Sequence, residues 1–225
     1  MKKLFVIGAF VAIASMFTAC GGKKVEVQKL GEYDLIVQND KFGLKWDGYT
    51  VLEPEYEKIT EQDGYVLALS NGYTTLVSRG TVVLTEKIEE ITPTEVADYS
   101  VIRVSDGVYL WKNGSSIARG KFDEVAVKTS ETCGDFAFCR DSNGWGVINP
   151  NVSLAPRKYE KVYIAASSNK FAVLVYNKND GWEIYNDQGV TEGRRYDTPP
   201  KVLERRLRGF NTSAPYGILK VDWTL

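Results

Sequence analysis

The sequence predicts an all-β chain built from about five to six short antiparallel units in series. Three observations predict it. Turn dipeptides of the Asn-Gly or Asp-Gly kind recur at Asn71-Gly72, Asp106-Gly107, Asn143-Gly144 and Asp180-Gly181, each before an anchor residue that opens a strand. Both positions of such a turn tolerate positive φ, the requirement of a tight hairpin. The anchors Phe42, Tyr73, Val108, Trp145 and Trp182 are spaced 31, 35, 37 and 37 residues, and Tyr216 follows 34 further on. An aromatic or aliphatic residue followed by an acid then stands 14 or 15 residues after five anchors, at Tyr56-Glu57, Ile88-Glu89, Phe122-Asp123, Tyr159-Glu160 and Tyr196-Asp197. A fixed period of this length marks a repeat array, whose units bury their apolar faces on one another.

Taken in order, the chain opens with Met1-Lys2-Lys3 and an apolar run from Leu4 to Phe17, suited to a signal segment and short for a membrane span. Small residues precede a cysteine in Phe17-Thr18-Ala19-Cys20. This resembles the bacterial lipoprotein signal, which implies removal of residues 1–19 and acylation of Cys20. Residues 20–31, beginning Gly21-Gly22-Lys23-Lys24, are expected to form a lipidated tether. With no acid next to Cys20, the expected location is the cell envelope, at the outer membrane with periplasmic exposure.

Residues 32–225 carry the repeat. After each anchor comes a second turn (Asp47-Gly48, Arg79-Gly80, Asn113-Gly114, Asn149-Pro150-Asn151, Gln188-Gly189), then the aromatic–acid pair, then a closing run of β formers. Those runs include Tyr65-Val66-Leu67-Ala68-Leu69, Val101-Ile102-Arg103-Val104, Phe136-Ala137-Phe138 and Phe171-Ala172-Val173-Leu174-Val175. Three short strands per unit are expected. Tyr33-Asp34-Leu35-Ile36-Val37 reads as the close of a unit whose start is missing, and Tyr216-Gly217-Ile218-Leu219-Lys220 as the opening of another. Paired, the two halves close a propeller-like ring; unpaired, they cap an open β-repeat array.

Trp145-Gly146-Val147-Ile148, a turn, Pro156 and Tyr159-Glu160-Lys161-Val162 resemble a unit of the tryptophan-glycine (WG) repeat family, as do Phe42-Gly43-Leu44 with Pro54, Tyr56 and Ile59. The resemblance runs over about residues 32–225 and implies an all-β array in an exported bacterial protein. It implies no shared catalytic residues.

Composition narrows the chemistry. The chain has no histidine, which removes histidine-based nucleophile systems and nearly every zinc or haem site. No cofactor or metal is expected. A net charge of −1 argues against nucleic-acid binding. Charge is uneven: residues 21–100 hold 8 Lys/Arg against 15 Asp/Glu, and residues 101–225 hold 18 against 14, so an anionic partner is sought in the second stretch. Its densest basic segment contains Arg194, Arg195, Arg205, Arg206 and Arg208, candidate binding residues for a lipid headgroup, an anionic glycan or an acidic protein. Trp46 and Trp111 fall outside the repeated anchor position and are candidate binding aromatics, whereas Trp145 and Trp182 are assigned to packing between units. Glu53, Glu55 and Glu57 alternate as on a solvent-facing edge, and Asn177, Asn179 and Asp180 read as a hairpin turn. Cys133 and Cys139 are too far apart for a disulfide on a straight strand, so pairing requires a bend at Gly134-Asp135 and otherwise leaves Cys139 a buried thiol.

The function expected from these features is that of a non-catalytic envelope lipoprotein, a binding or scaffolding module for a protein or glycan partner, held to the membrane through Cys20. A glycan-active enzyme or a purely structural envelope protein are the alternatives.

Overall fold

The computed structural model describes residues 25–115, 117–149, 152–167, 170–198 and 214–220. Over these the chain is all β, folded as five antiparallel sheets in sequence order. The first sheet holds β1 (Val25–Leu30), β2 (Tyr33–Gln38), β3 (Lys41–Trp46) and β4 (Tyr49–Tyr56). The second holds β5 (Lys58–Gln62), β6 (Tyr65–Ser70), β7 (Tyr73–Ser78) and β8 (Thr81–Glu86). The third holds β9 (Ile88–Pro93), β10 (Tyr99–Val104), β11 (Gly107–Lys112) and β12 (Ala118–Phe122). The fourth holds β13 (Glu124–Ser130), β14 (Gly134–Asp141), β15 (Gly144–Ile148) and β16 (Ser153–Tyr159). The fifth holds β17 (Lys161–Ser167), β18 (Lys170–Asn177), β19 (Gly181–Tyr185) and β20 (Thr191–Tyr196), with β21 (Tyr216–Lys220) added parallel to β17.

Each sheet inside the row is apolar on both faces, which is why its second strand reads as a nearly unbroken run of β formers. On β6, Val66 and Ala68 join Tyr33, Leu44 and Leu52 of the first sheet, while Tyr65 packs with Ile102 and Trp111 of the third. On β14, Ala137 and Cys139 meet Tyr99, Val108 and Leu110 of the third sheet, while Phe136 and Phe138 meet Val162, Ile164 and Val173 of the fifth.

The repeated landmarks have physical roles. The aromatic–acid pair lies where the chain leaves one sheet for the next. Its acid donates a backbone bond into the following sheet, from Glu57 N to Leu69 O (2.8 Å), Asp123 N to Arg140 O (2.8 Å) and Glu160 N to Tyr176 O (2.9 Å). The carboxylates of Glu57 and Glu160 also accept from the turn amides of Asn71 and Lys178. The glycine of the Trp-Gly pair is fixed by crowding from the outer strand. A Cβ on Gly146 would stand 2.7 Å from Ala155 O and 2.8 Å from Arg157 N, and one on Gly43 would stand 2.8 Å from Leu52 O.

Four expectations are corrected. The unit has four strands, not three, because the short strand that follows an aromatic–acid pair, such as Lys58–Gln62, was not anticipated. The segment expected to be tether contributes β1, whose Val25 to Leu30 pair with β2, so β2 is not the close of a unit whose start is missing but the second strand of a full sheet. Tyr216 does not open a sixth sheet, since β21 lies along β17. The two ends therefore share no sheet among the described residues, and the split-repeat closure of a ring is not made.

Candidate binding cleft

The seam between the third and fourth sheets is not fully filled. A cavity of about 490 Å³ lies in it, lined by Tyr99, Leu110, Lys112, Ser115, Ile117 and Arg119 from one side and Val127, Asp135, Ala137 and Ile148 from the other. On the fourth sheet its wall is one cross-strand row, Val127–Ala137–Ile148. On the third sheet the wall is two rows, Tyr99 opposite Lys112 and Leu110 opposite Arg119. Residues directly opposite on antiparallel strands share a face, so these rows point together at the fourth sheet. A second hollow of about 410 Å³ lies beyond Val127, with Glu95, Arg103, Asp123, Glu124 and Lys128 at its edge. Glu95 and Lys128 bridge the two sheets there at 2.9 Å, and Lys128 holds the Glu95 carboxyl below its usual range.

Tyr99 is placed by a tied loop. Thr94 Oγ1 donates to Val96 O (2.8 Å), Thr94 N to Tyr99 O (2.9 Å), and Asn113 N to Asp98 O (2.7 Å). The Tyr99 side chain is 5% exposed, and its phenol oxygen has no hydrogen-bond partner among the described residues. Several other seam tyrosines have partners. Tyr33 accepts the Gly80 amide at 3.4 Å, Tyr109 donates to Glu86 at 3.2 Å, Tyr163 donates to Ala214 O at 2.6 Å, and Tyr159 meets Tyr185 at 2.6 Å and Glu183 at 3.0 Å. A buried orphan donor costs about 1–3 kcal/mol, a cost the partnered tyrosines avoid. Burial first, then the Asp135 carboxylate nearby, raise its pKa; Arg119 works the other way. Asp135 itself accepts Thr129 Oγ1 at 2.7 Å, and no bond of acceptable geometry joins it to the phenol. Lys112 Nζ lies 5.8 Å from the centre of the Tyr99 ring. Lys112 and Arg119 are exposed, and among the described residues neither is in an ion pair.

In the second and third sheets the turn before the outer strand ends in glycine, and that glycine presses on the preceding sheet. A Cβ on Gly80 would stand 2.4 Å from the Trp46 ring, and one on Gly114 would stand 2.9 Å from the Arg79 guanidinium. The wall that the fourth sheet turns to the cavity is small-chained, with Ala137 beside Val127.

The residues singled out from sequence fall elsewhere. Trp111 is 1% exposed, edge-on to Tyr65 at 5.4 Å, and its indole N–H donates to Ser115 O, so packing occupies both its faces. Trp46 is half-buried over Gly80. Both are seam residues rather than binding aromatics. Trp145 and Trp182 are buried as repeat anchors, Trp145 against Tyr216 and Trp182 against Tyr163 and Tyr176. Arg194 and Arg195 are exposed on the outer strand β20, where Arg195 pairs with Asp180. Arg205, Arg206, Arg208 and Cys20 lie outside the described residues. Glu53, Glu55 and Glu57 are exposed along and just past the outer strand of the first sheet. Cys133 and Cys139 are both free thiols, and burial pushes the Cys139 thiol up from 9.0 to about 12. Sequence reasoning missed Tyr99, Lys112, Arg119 and Asp135. No sequence signal marked them, because they stand on different strands of two sheets.

No family model matches the chain, and no curated protein does. Among solved structures, it is similar to BBS1N, crystallised in complex with ARL6DN (11% identity, 75% of this chain and 64% of that chain, TM-score 0.27). It is similar to a eukaryotic initiation factor (11%, 78% and 56%, TM-score 0.27). It is also similar to PorZ, an essential bacterial surface component of the type-IX secretion system of Porphyromonas gingivalis (10%, 80% and 36%, TM-score 0.18). The chain spans less than two thirds of the length of each.

Proposed function

We propose that the chain is an acylated bacterial envelope lipoprotein, similar to the WG-repeat proteins, whose five sheets form a non-catalytic binding module for an envelope protein or glycan. The cleft between the third and fourth sheets is its binding site. The observation that carries this reading is the cavity of about 490 Å³ between the two sheets, apolar along Val127, Ala137 and Ile148 and edged by Lys112, Arg119 and Asp135. Ligand cavities have this size, with apolar walls and a few convergent polar groups. Among the described residues lining the cleft Asp135 is the one carboxylate, whereas hydrolysis of a glycan ordinarily draws on two.

The test is capture from envelope extract by the full chain, by Ala137→Trp, which fills the cleft, and by the double variant Arg194→Ser with Arg195→Ser. Each is first shown to melt cooperatively. A partner retained by the parent and the arginine variant but lost by Ala137→Trp supports the cleft. Retention by Ala137→Trp with loss from the arginine variant moves the site to β20 and overturns this reading. Cys20→Ala is expected to leave the membrane fraction; continued association would sink acylation at that residue.

A further inference from the structure

Resting on that reading of the cleft, we infer that its ligand is a protein chain that lies across the whole end of the array where the cleft opens, on a line of apolar side chains drawn one from each sheet. Among the described residues eight large apolar side chains are exposed. Five of them, Tyr49, Val82, Ile117, Val152 and Val190, stand within three residues after the turn that leads into the outer strand of each sheet. Each keeps at least 41% of its surface. The other three are Val25 and Val27 on β1 and Tyr73 at the far end of the second sheet. Exposed singly, such residues are ordinary; at one position in all five sheets they make a line. The turns that carry them touch. Gly80 presses on Trp46 at the end of β3, Gly114 on Arg79, and Gly189 on Ser153, whose carbonyl oxygen an added Cβ would meet at 2.6 Å. Ile117 and Ile148 face one cavity across the third–fourth seam, so the cleft lies on the line.

Length and chemistry select a protein. Packed sheets stand about 10 Å apart, so five of them set a line of about 40 Å, beyond the reach of a small molecule. Four of the five residues are aliphatic, with no flat ring on which a sugar could stack, and a glycan would bury hydroxyls against them without partners. A bilayer is on the wrong side. Val25 lies opposite Gln38, at the end of the β2–β3 turn, and β1 runs from there towards the line. Under the acylation proposed above, Cys20 is five residues from Val25, a reach of at most ~18 Å, so the anchor holds the other end to the membrane. Charge gives the partner's composition. Beside the line, on the side of the first strands, the first three sheets carry exposed Glu32, Glu61, Asp63, Glu95 and Asp98. Of these, Glu95 is paired with Lys128. Arg79, Lys112 and Arg119 stand along the line itself. The partner segment is therefore apolar along its contact stripe and basic on the flank that faces these acids, since opposed charges across an interface fix its orientation.

The test places a photoreactive benzophenone residue in the full chain, one position at a time, at Tyr49, Val82, Ile117, Val152 and Val190, and at Tyr73 as the comparison. Each variant is shown to melt like the parent, illuminated in cells that make it, and its cross-linked peptides are sequenced by mass spectrometry. Tyr49, Val82 and Val190 are expected to cross-link to one other protein, in an apolar stretch flanked by Lys or Arg, at yields at least about tenfold above Tyr73. Glu32→Gln, Asp63→Asn and Asp98→Asn together should lower the yields at Tyr49 and Val82 at least about tenfold, with the melting temperature unchanged. Cross-links at Ile117 and Val152 alone overturn the line and leave the cleft. Cross-links at Tyr49, Val82 and Val190 that survive Ala137→Trp overturn the cleft and leave the line. A cross-linked stretch without basic residues, or yields unmoved by the triple variant, overturns the stated chemistry of the partner. Cross-links to lipid, to glycan or to a second copy of this chain, or yields no higher than at Tyr73, overturn the inference outright.

Discussion

The fourth sheet has two faces, and strand β14 divides them. Phe136 and Phe138 turn towards the fifth sheet, where Phe136 lies edge-on to Phe171 at 4.9 Å and Phe138 stacks on Tyr216 at 5.1 Å. Trp145 closes on the same Tyr216 at 4.6 Å. Ala137 and Cys139 turn towards the third sheet and leave the cavity. Polar groups follow the same division. In the tight seam the Tyr159 phenol is tied to Tyr185 and Glu183, whose other oxygen takes Thr191 Oγ1 at 2.6 Å. In the loose seam the Tyr99 phenol has no hydrogen-bond partner among the described residues, with Asp135 nearby. Two seams of one repeat thus differ in what they are for. The fourth–fifth seam is filled and satisfied and holds the array together; the third–fourth seam keeps room and one unused donor.

The largest expected effect breaks the tight seam. Phe138→Ala removes a fully buried ring and its stack on Tyr216, and its cost is about 3–5 kcal/mol, read as a lower urea midpoint. If β21 is held mainly by that stack, hydrogen exchange of the β17 amides that face it should quicken in the same variant. A midpoint within error of the parent would mean that the two seams are energetically alike.

The matching change in the loose seam has a small effect of the opposite sign. Ala137→Leu adds hydrocarbon beside Leu110 and Val127, where there is space for it. Overpacking a closed core costs about 1–3 kcal/mol. Here the urea midpoint should hold or rise, because the added methylenes fill a void instead of displacing neighbours. A fall as large as that of a closed core would show that the cavity collapses in solution.

Much of this division was written in the chain, though not all of it could be read there. The repeat period and the turn residues located every second and third strand, because those strands carry both the turn chemistry and the densest apolar runs. The first strands were overlooked. Val25–Leu30 and Lys58–Gln62 are short, half-exposed and rich in charge, so their β character comes from pairing with β2 and β6 rather than from their own composition. The alternation Phe136-Ala137-Phe138-Cys139 states the asymmetry of the fourth sheet outright, but only once both faces are known to be buried. The cleft residues were the least legible. Tyr99, Lys112, Arg119 and Asp135 stand on different strands of two sheets, and only register brings them together. Trp46 and Trp111 misled because an aromatic outside the repeated position can be enlisted by a neighbour's turn glycine, as Gly80 enlists Trp46.

Cys139 marks where the loose seam ends. Its thiol is fully buried on the cavity-facing side of β14, and burial, opposed only weakly by Arg157, raises its pKa to about 12. The thiol of an unfolded chain ionises near ~8.5. A raised native pKa therefore contributes stability that is complete below about pH 8.5 and is lost as pH climbs towards 12. The window from about pH 8.5 to 10 isolates the cysteine, since buried phenols join only above their own value of ~10. Cys139→Ala should flatten the decline of the urea midpoint across that window. Iodoacetamide at the same pH should leave Cys139 untouched in the native chain, because alkylation needs an accessible thiolate. Half-buried Cys133, whose thiol donates to Ser167 O at 3.3 Å, serves as the internal comparison. Alkylation of Cys139 as fast as Cys133 would mean that water runs the whole length of the third–fourth seam. The cleft would then be a groove open past Val127 and not a pocket bounded by β14.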